Sequence, residues 1–295
     1  MDLWILLVLI AQFLNAGIVL FDKYLVTSPT IPRPVVYAFY VGILSGVPII
    51  LVPFGVVEVP TWGIIYLALY SGVTSIASIM FLYQALKLAS PTDVVPIVGA
   101  VTAISTFAFS SLFLQEQLPD HFLIAITFLV IGMMFVGHFR FNMKALIYIL
   151  LSAGLFAASS VIVKHMFTLT TFIDAFFWSR MANVLCAILL LVWPANFYAI
   201  SHNVEYSPKR TKLLVLGNKA IAGVSFLLIL LAIQYGEVSV INSLTALQFM
   251  FIIILTFLLK NFLPGYYHEA FRKGHVAHKV FATVMIMIGF LILFS

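Results

Sequence analysis

A chain of 295 residues that is 63% hydrophobic and 8% charged, with a mean hydropathy of +1.16, cannot cover a water-facing surface. Soluble domains carry about 25% charged residues. A soluble enzyme, a secreted module and a nucleic-acid binder are therefore excluded, and the net charge of +5 contains no basic run that could track phosphates.

The elements follow from apolar run length. About 20 apolar residues cross the roughly 30 Å hydrocarbon core as a helix. Ten such runs are read at 3–21, 35–53, 62–86, 92–114, 121–138, 145–163, 173–193, 212–234, 238–259 and 278–294. No stretch alternates as a β-barrel strand would. The expected fold is an all-α membrane protein of ten transmembrane helices. The first run starts at Leu3 with no positive flank before it, which predicts an uncleaved first helix. Between the third and fourth runs, Ser90-Pro91-Thr92-Asp93 reads as a helix start with Ser90 as N-cap and Asp93 closing a capping box. Gly236 and Glu237 read as the stop and start between the eighth and ninth runs. Only 194–211 and 260–277 are longer connections, and neither is long enough for a folded domain. Cys186 stands alone, so no internal disulfide is available.

Lysine and arginine set the orientation. Twelve of them, from Lys23 to Lys279, fall on the loops after odd-numbered helices, whereas only Lys164 falls on the other side. The positive-inside rule then places those loops in the cytoplasm and both termini outside, in an inner or plasma membrane.

The two halves, 1–140 and 141–295, resemble each other in order. Leu20-Phe21-Asp22-Lys23 closes the first run, and Ile162-Val163-Lys164 closes the sixth. His121 and Ile131-Gly132 are matched 157 positions later by His278 and Ile288-Gly289. Five helices per half is an odd number, so the second half enters from the opposite side. The expected architecture is an inverted repeat, the device by which transporters alternate access around a central site.

These features resemble the EamA-type members of the drug/metabolite transporter superfamily. The resemblance rests on Tyr83-Gln84-Ala85-Leu86-Lys87-Leu88-Ala89-Ser90-Pro91-Thr92-Asp93-Val94-Val95-Pro96-Ile97, on Leu114-Gln115-Glu116-Gln117-Leu118 and on the Ile131-Gly132 helix. It spans essentially the whole chain and implies a secondary transporter. Three positions depart from the pattern: Gln115 stands where the family has Gly, Asn261 where a second Glu would fall, and Ser243 where the repeat of Pro96 would be.

The candidate site comes from burial cost. A charge inside a span costs about 3 kcal/mol or more, so it faces a cavity or a partner. Arg180 and Lys219 are the two deep charges, and no carboxylate is read in a span middle, since Asp93, Glu116, Asp174 and Glu237 lie at helix ends. Two cations predict an anionic or zwitterionic substrate, held by the Arg180 fork and the Lys219 point charge. The resemblance adds that plastid sugar-phosphate carriers use central Lys and Arg. Asn218, Asn15, Asn242, Thr245 and Gln248 are candidate polar lining, with Tyr37, Tyr40, Tyr83 and Trp178 as aromatic walls. Stripes such as Thr102/Thr106/Ser110 and Ser71/Ser75/Ser78 read as close helix packing. Lys164 is a candidate outer gate through Asp174 or Glu116, against the alternative of a plain exposed ion pair.

A rival reading, an intramembrane metalloenzyme, starts from His268-Glu269, His275 and His278. Their spacings of seven and three are not those of a zinc-binding helix, which needs histidines four apart. The sequence therefore predicts no metal, no cofactor and no catalysis. It predicts a transporter moving a small organic metabolite, with the lipid bilayer and a small-molecule substrate as partners and no nucleic acid, working as a monomer or homodimer. A lipid or headgroup flippase on the same fold is the alternative.

Overall fold

The computed structural model describes residues 3–27, 33–116, 118, 121–136, 143–206, 209–259 and 276–293. Twelve α-helices occupy them: α1 (Leu3–Thr27), α2 (Pro34–Leu44), α3 (Trp62–Leu88), α4 (Pro91–Phe113), α5 (Phe122–Val136), α6 (Met143–Leu169), α7 (Phe172–Leu189), α8 (Pro194–Tyr206), α9 (Lys209–Tyr235), α10 (Val238–Ser243), α11 (Ala246–Leu258) and α12 (Val276–Leu293). No strand occurs among the described residues. Eight segments are long and apolar enough to cross a bilayer, and two shorter apolar helices, Phe122–Phe135 and Phe281–Ile292, lie where the fifth and tenth runs were read. The protein is an all-α integral membrane protein.

Three expected elements differ, each for a local reason. The second run does not continue as one α-helix. It stops at Leu44 and resumes as a 3₁₀ turn over Val47–Phe54, because Pro48 has no N–H to give to the preceding turn and its ring crowds the carbonyl four residues back. The ninth run breaks between Ser243 and Ala246. There the Ser243 hydroxyl donates to the Val240 carbonyl at 2.6 Å, and such back-bonding competes with the helix ladder. The connection 194–211 holds a helix, α8, opened by Pro194 at a position where a missing N–H costs nothing. At α4, Ser90 is the N-cap as read, but its hydroxyl donates to Asp93 Oδ2 at 2.7 Å in place of capping a backbone N–H.

Helices in lipid gain little from apolar burial, so they associate where backbones come close or hydroxyls bridge them. The hydroxyl stripes do this. Ser78 (α3) donates to the Ser152 carbonyl (α6) at 2.8 Å, and Ser225 (α9) donates to the Ala11 carbonyl (α1) at 2.9 Å. These are one contact made twice, since Ser225 lies 147 positions after Ser78 and Ser152 lies 141 after Ala11. A second pair follows the same offsets. Lys23 (α1) donates to the carbonyls of Leu86 and Ala89 at the end of α3, at 2.6 and 2.9 Å. Lys164 (α6) donates to Ile233 and Gly236 at the end of α9, at 2.7 and 2.8 Å. Each lysine meets the negative end of a helix dipole.

The α5–α12 crossing is also matched. A Cβ on Gly132 would lie 2.9 Å from the Ala282 carbonyl, and one on Gly289 would lie 2.9 Å from the Ala125 carbonyl. Both glycines are thus required for two backbones to touch. Gly132→Leu and Gly289→Leu are each expected to cost about 1–3 kcal/mol by overpacking, whereas Gly223→Ala, where nothing lies within 4 Å, is expected to be neutral or stabilising; thermal unfolding in detergent checks all three.

Candidate functional site

The helix α1 runs six residues beyond the expected end of the first span, to Thr27. Asp22 and Lys23 are therefore inside a helix, 3% and 8% exposed. Hydropathy falls where these charges begin, which is why the sequence reading ended the span there. The helix continues because both charges have partners and because Tyr24-Leu25-Val26 restores the apolar face. Asp22 is the buried charge that sequence reasoning missed. The signal available was a charged dipeptide flanked by apolar residues on both sides.

Asp22, on α1, gathers side chains from three other helices, α2, α3 and α9. Its Oδ1 accepts from Lys219 Nζ (2.7 Å), Asn218 Nδ2 (2.6 Å) and the Tyr37 hydroxyl (2.6 Å), and its Oδ2 accepts from the Tyr83 hydroxyl at 3.3 Å. Lys219 also donates to the Tyr83 hydroxyl at 3.1 Å and lies 4.5 Å from the centre of the Tyr37 ring. The two tyrosine rings are 4.7 Å apart. Every member is buried. Four of the residues named from sequence (Tyr37, Tyr83, Asn218 and Lys219) thus do converge, but around a carboxylate of the protein itself. The premise that the interior holds two uncompensated cations is corrected: the charge of Lys219 is neutralised by Asp22.

Arg180 has no such partner. It lies on α7, 8% exposed, with its Cζ 4.1 Å above the Phe226 ring of α9. Its Nε has no hydrogen-bond partner, and among the described residues no carboxylate pairs with the guanidinium. Phe226 follows Lys219 by seven residues, two helical turns, so Arg180 sits over the same face of α9 about 10 Å along the helix. Other buried polar atoms also lack partners, among them Asn183 Oδ1 one turn along α7, Gln12 Oε1 on α1 and Thr256 Oγ1 on α11.

The remaining candidates lie apart from this column or bridge helices. Asn15 accepts from the Ser225 hydroxyl at 2.7 Å, between α1 and α9. Asn242 donates to the Thr106 hydroxyl at 3.0 Å, between α10 and α4. Gln248 is buried in α11. Trp178 donates to the Glu58 carbonyl at 3.2 Å, while Asp174 accepts from Glu58 N at 2.8 Å and from the Thr171 hydroxyl at 2.6 Å. Trp178 and Asp174 therefore strap the segment before α3 onto α7.

Glu116 reaches across to α10, where it accepts from Val238 N, Ser239 N and the Ser239 hydroxyl at 2.7, 3.2 and 2.7 Å. Glu116, not Glu237, caps that helix, although Glu237 occupies its N-cap position. Lys164 holds the carbonyls at the end of α9 and not Asp174, and its charge acts on Glu237 and Glu116 from there. Glu237 is pushed up to about 7 by burial and by its hydrogen bond to, and repulsion from, Glu116, with Lys164 pulling the other way. His268, Glu269 and His275 of the metal reading lie outside the described residues. Among the described ones, no three His, Cys, Asp or Glu side chains are grouped to hold a metal.

No protein-family model and no curated protein matches the chain. A solved structure named only "Crystal structure of protein" is similar, with a TM-score of 0.68 and 16% identity over 98% of this chain and 96% of that one. At this identity the likeness establishes a shared fold and nothing about activity.

Two outcomes follow from this geometry. Lys219→Met leaves Asp22 buried without its cation and is expected to cost about 3–5 kcal/mol. Adding Asp22→Asn should recover most of that loss, a coupling that a double-mutant unfolding cycle reads directly. Glu237 is raised above its ordinary 4.5, so its stabilisation is complete below about 4.5 and is lost as pH rises through about 7. The melting temperature should fall across that window in the wild type, and Glu237→Gln should flatten the profile.

Proposed function

We propose that this protein is a secondary active transporter that moves a small organic metabolite bearing an anionic group, by alternating access. On this reading it has ten transmembrane helices in a five-plus-five inverted repeat, 1–140 and 141–295, and is related to the EamA-type drug/metabolite transporters. It lies in the cell membrane with both termini outside. The observation that carries the reading is Arg180, a buried guanidinium within a membrane span that has an aromatic face beneath it and no acceptor among the described residues. An unpaired charge in a low-dielectric interior is strongly destabilising. A bound anion supplies the missing partner, and the planar fork of arginine suits a carboxylate or phosphate.

The repeat is supported by the duplicated contacts, Ser78–Ser152 with Ser225–Ala11, Lys23 with Lys164, and Gly132 with Gly289. Alternating access requires the two halves to hold different shapes at one time, and one pair of matched helices does so. The helix α3 packs along α7, while its counterpart pair, α9 and α2, approaches closely at far fewer positions. The reason is a single position. Gly72 lets the Ala182 backbone of α7 come within 2.8 Å of where a Cβ would be, whereas its counterpart on α9, 147 positions on, is Lys219, whose side chain fills the approach of α2. The proposed state is therefore closed at the Glu58–Asp174 end and looser at the Lys219 end.

A thermal-shift screen of purified protein tests the reading, using organic acids, phosphorylated metabolites, amino acids, nucleosides and cationic drugs. A ligand at 100 times its Kd adds about 2.7 kcal/mol. Anions are expected to stabilise wild type and not Arg180→Gln, and to show counterflow in proteoliposomes. Neutral or cationic compounds that stabilise both proteins equally would assign Arg180 a structural role and refute the proposal.

A further inference from the structure

Resting on the reading that Arg180 holds the transported anion, we infer that its ligand is a monocarboxylate of net charge −1 carrying a hydroxyl group, and neither a phosphate ester nor an amino acid. The first argument is charge balance. Lys219 cannot contribute to an anion, because Asp22 already accepts from it at 2.7 Å with both groups 5% exposed. Lys23 and Lys164 are committed to helix-end carbonyls. Asp174 is held by Glu58 N and the Thr171 hydroxyl at the start of α7. The guanidinium of Arg180 is what these pairings leave over, a single positive charge.

A ligand of charge −1 makes the site neutral. A phosphate monoester, at about −1.5 to −2 near pH 7, brings surplus negative charge into a place where the described residues offer no second free cation. An amino acid brings an ammonium that finds no carboxylate there and leaves the site at +1. Either mismatch is a buried uncompensated charge, the costliest kind of error in a membrane interior.

The second argument is the hydrogen-bond inventory. Asn183 Oδ1 and Gln12 Oε1 are buried acceptors without donors. Asn183 is three residues from Arg180 and so lies on the neighbouring turn of the same side of α7. Gln12 adjoins Ala11, whose carbonyl takes the Ser225 hydroxyl, and Ser225 adjoins Phe226, over which Arg180 lies. All these groups occupy one level of the bundle. Acceptors left bare at that level call for a neutral donor on the ligand, and a hydroxyl supplies one without adding charge. The Phe226 face supplies the apolar floor.

The test uses full-length protein in detergent and three matched pairs of probes on small and aromatic scaffolds: lactate and phenyllactate, alanine and phenylalanine, glycerol phosphate and phenyl phosphate. Propionate and phenylpropionate serve as hydroxyl-free acids. On at least one scaffold the hydroxy acid should bind wild type, with about tenfold loss when the hydroxyl is removed and a larger loss for the amino acid and the phosphate. Gln12→Leu with Asn183→Leu should abolish the hydroxyl's advantage and keep the binding of the plain acid. The Asp22→Asn/Lys219→Gln double variant should keep the charge preference, because that pair is outside the site. If Arg180→Gln does not fold, Arg180→Lys, which keeps the charge and loses the fork, replaces it alongside the wild-type preference. A phosphate or amino acid that binds better than the hydroxy acid, and loses binding with Arg180, overturns this inference and leaves the transporter reading standing. Binding by no probe, or binding indifferent to Arg180, overturns both.

Discussion

A polar group placed in the hydrocarbon layer must find its partner within the protein, since neither lipid nor water supplies one there. This one constraint organises the bundle. Ser78 and Ser225 spend their hydroxyls on carbonyls of a neighbouring helix and so fix which helices touch and at what height. Lys23 and Lys164 are tolerated because helix C-termini offer them two carbonyls each. Asp22 is tolerated because three helices bring it Lys219, Asn218, Tyr37 and Tyr83. Against that background the groups left open are conspicuous, among them Gln12, Arg180, Asn183 and Thr256. A structure that satisfies its polar atoms this consistently gives meaning to those it does not.

What could be read from sequence was what local physics decides. Apolar length located the membrane helices, and hydroxyl stripes at helical spacing located seams: Thr102 and Thr106 are buried at 1% and 0% exposure, with Thr102 donating to Ala153 across to α6. The depth of Arg180 was likewise evident from its place within an apolar run. What escaped was what partners decide. Hydropathy ended the first span at Phe21, yet Asp22 lies inside the helix because Lys219, 197 residues later, is there to meet it. The Lys219 charge was visible and its neutralisation was not, since no local pattern links the two. The helix break at Leu244–Thr245 is similar: no proline marks it, and it depends on hydroxyl and amide bonds made by Ser243 and Asn242.

The Gln115–Glu116 corner joins the two kinds of information. Gln115 has a φ of +51°, in the left-handed region, at the position where the resembling family carries glycine. A residue with a Cβ pays about 1–2 kcal/mol for that conformation. The turn it makes delivers the Glu116 carboxylate to three donors of α10. Those bonds to an ionised group are worth more than the strain. A glycine would make the same turn more easily and hold it less firmly.

The Asp22–Lys219 pair also bears on how the chain is made. The lysine caps close early, because Leu86 and Ala89 follow Lys23 by 63 and 66 residues, and Ile233 and Gly236 follow Lys164 by 69 and 72. Asp22 waits 197 residues for Lys219. At about 5–20 residues per second of synthesis, the carboxylate spends roughly 10–40 s in or beside the bilayer before its cation exists. During that interval it must stay at the headgroups, and α1 reaches its final depth only when α9 is inserted beside it. A contact that forms late thus sets the final position of α1.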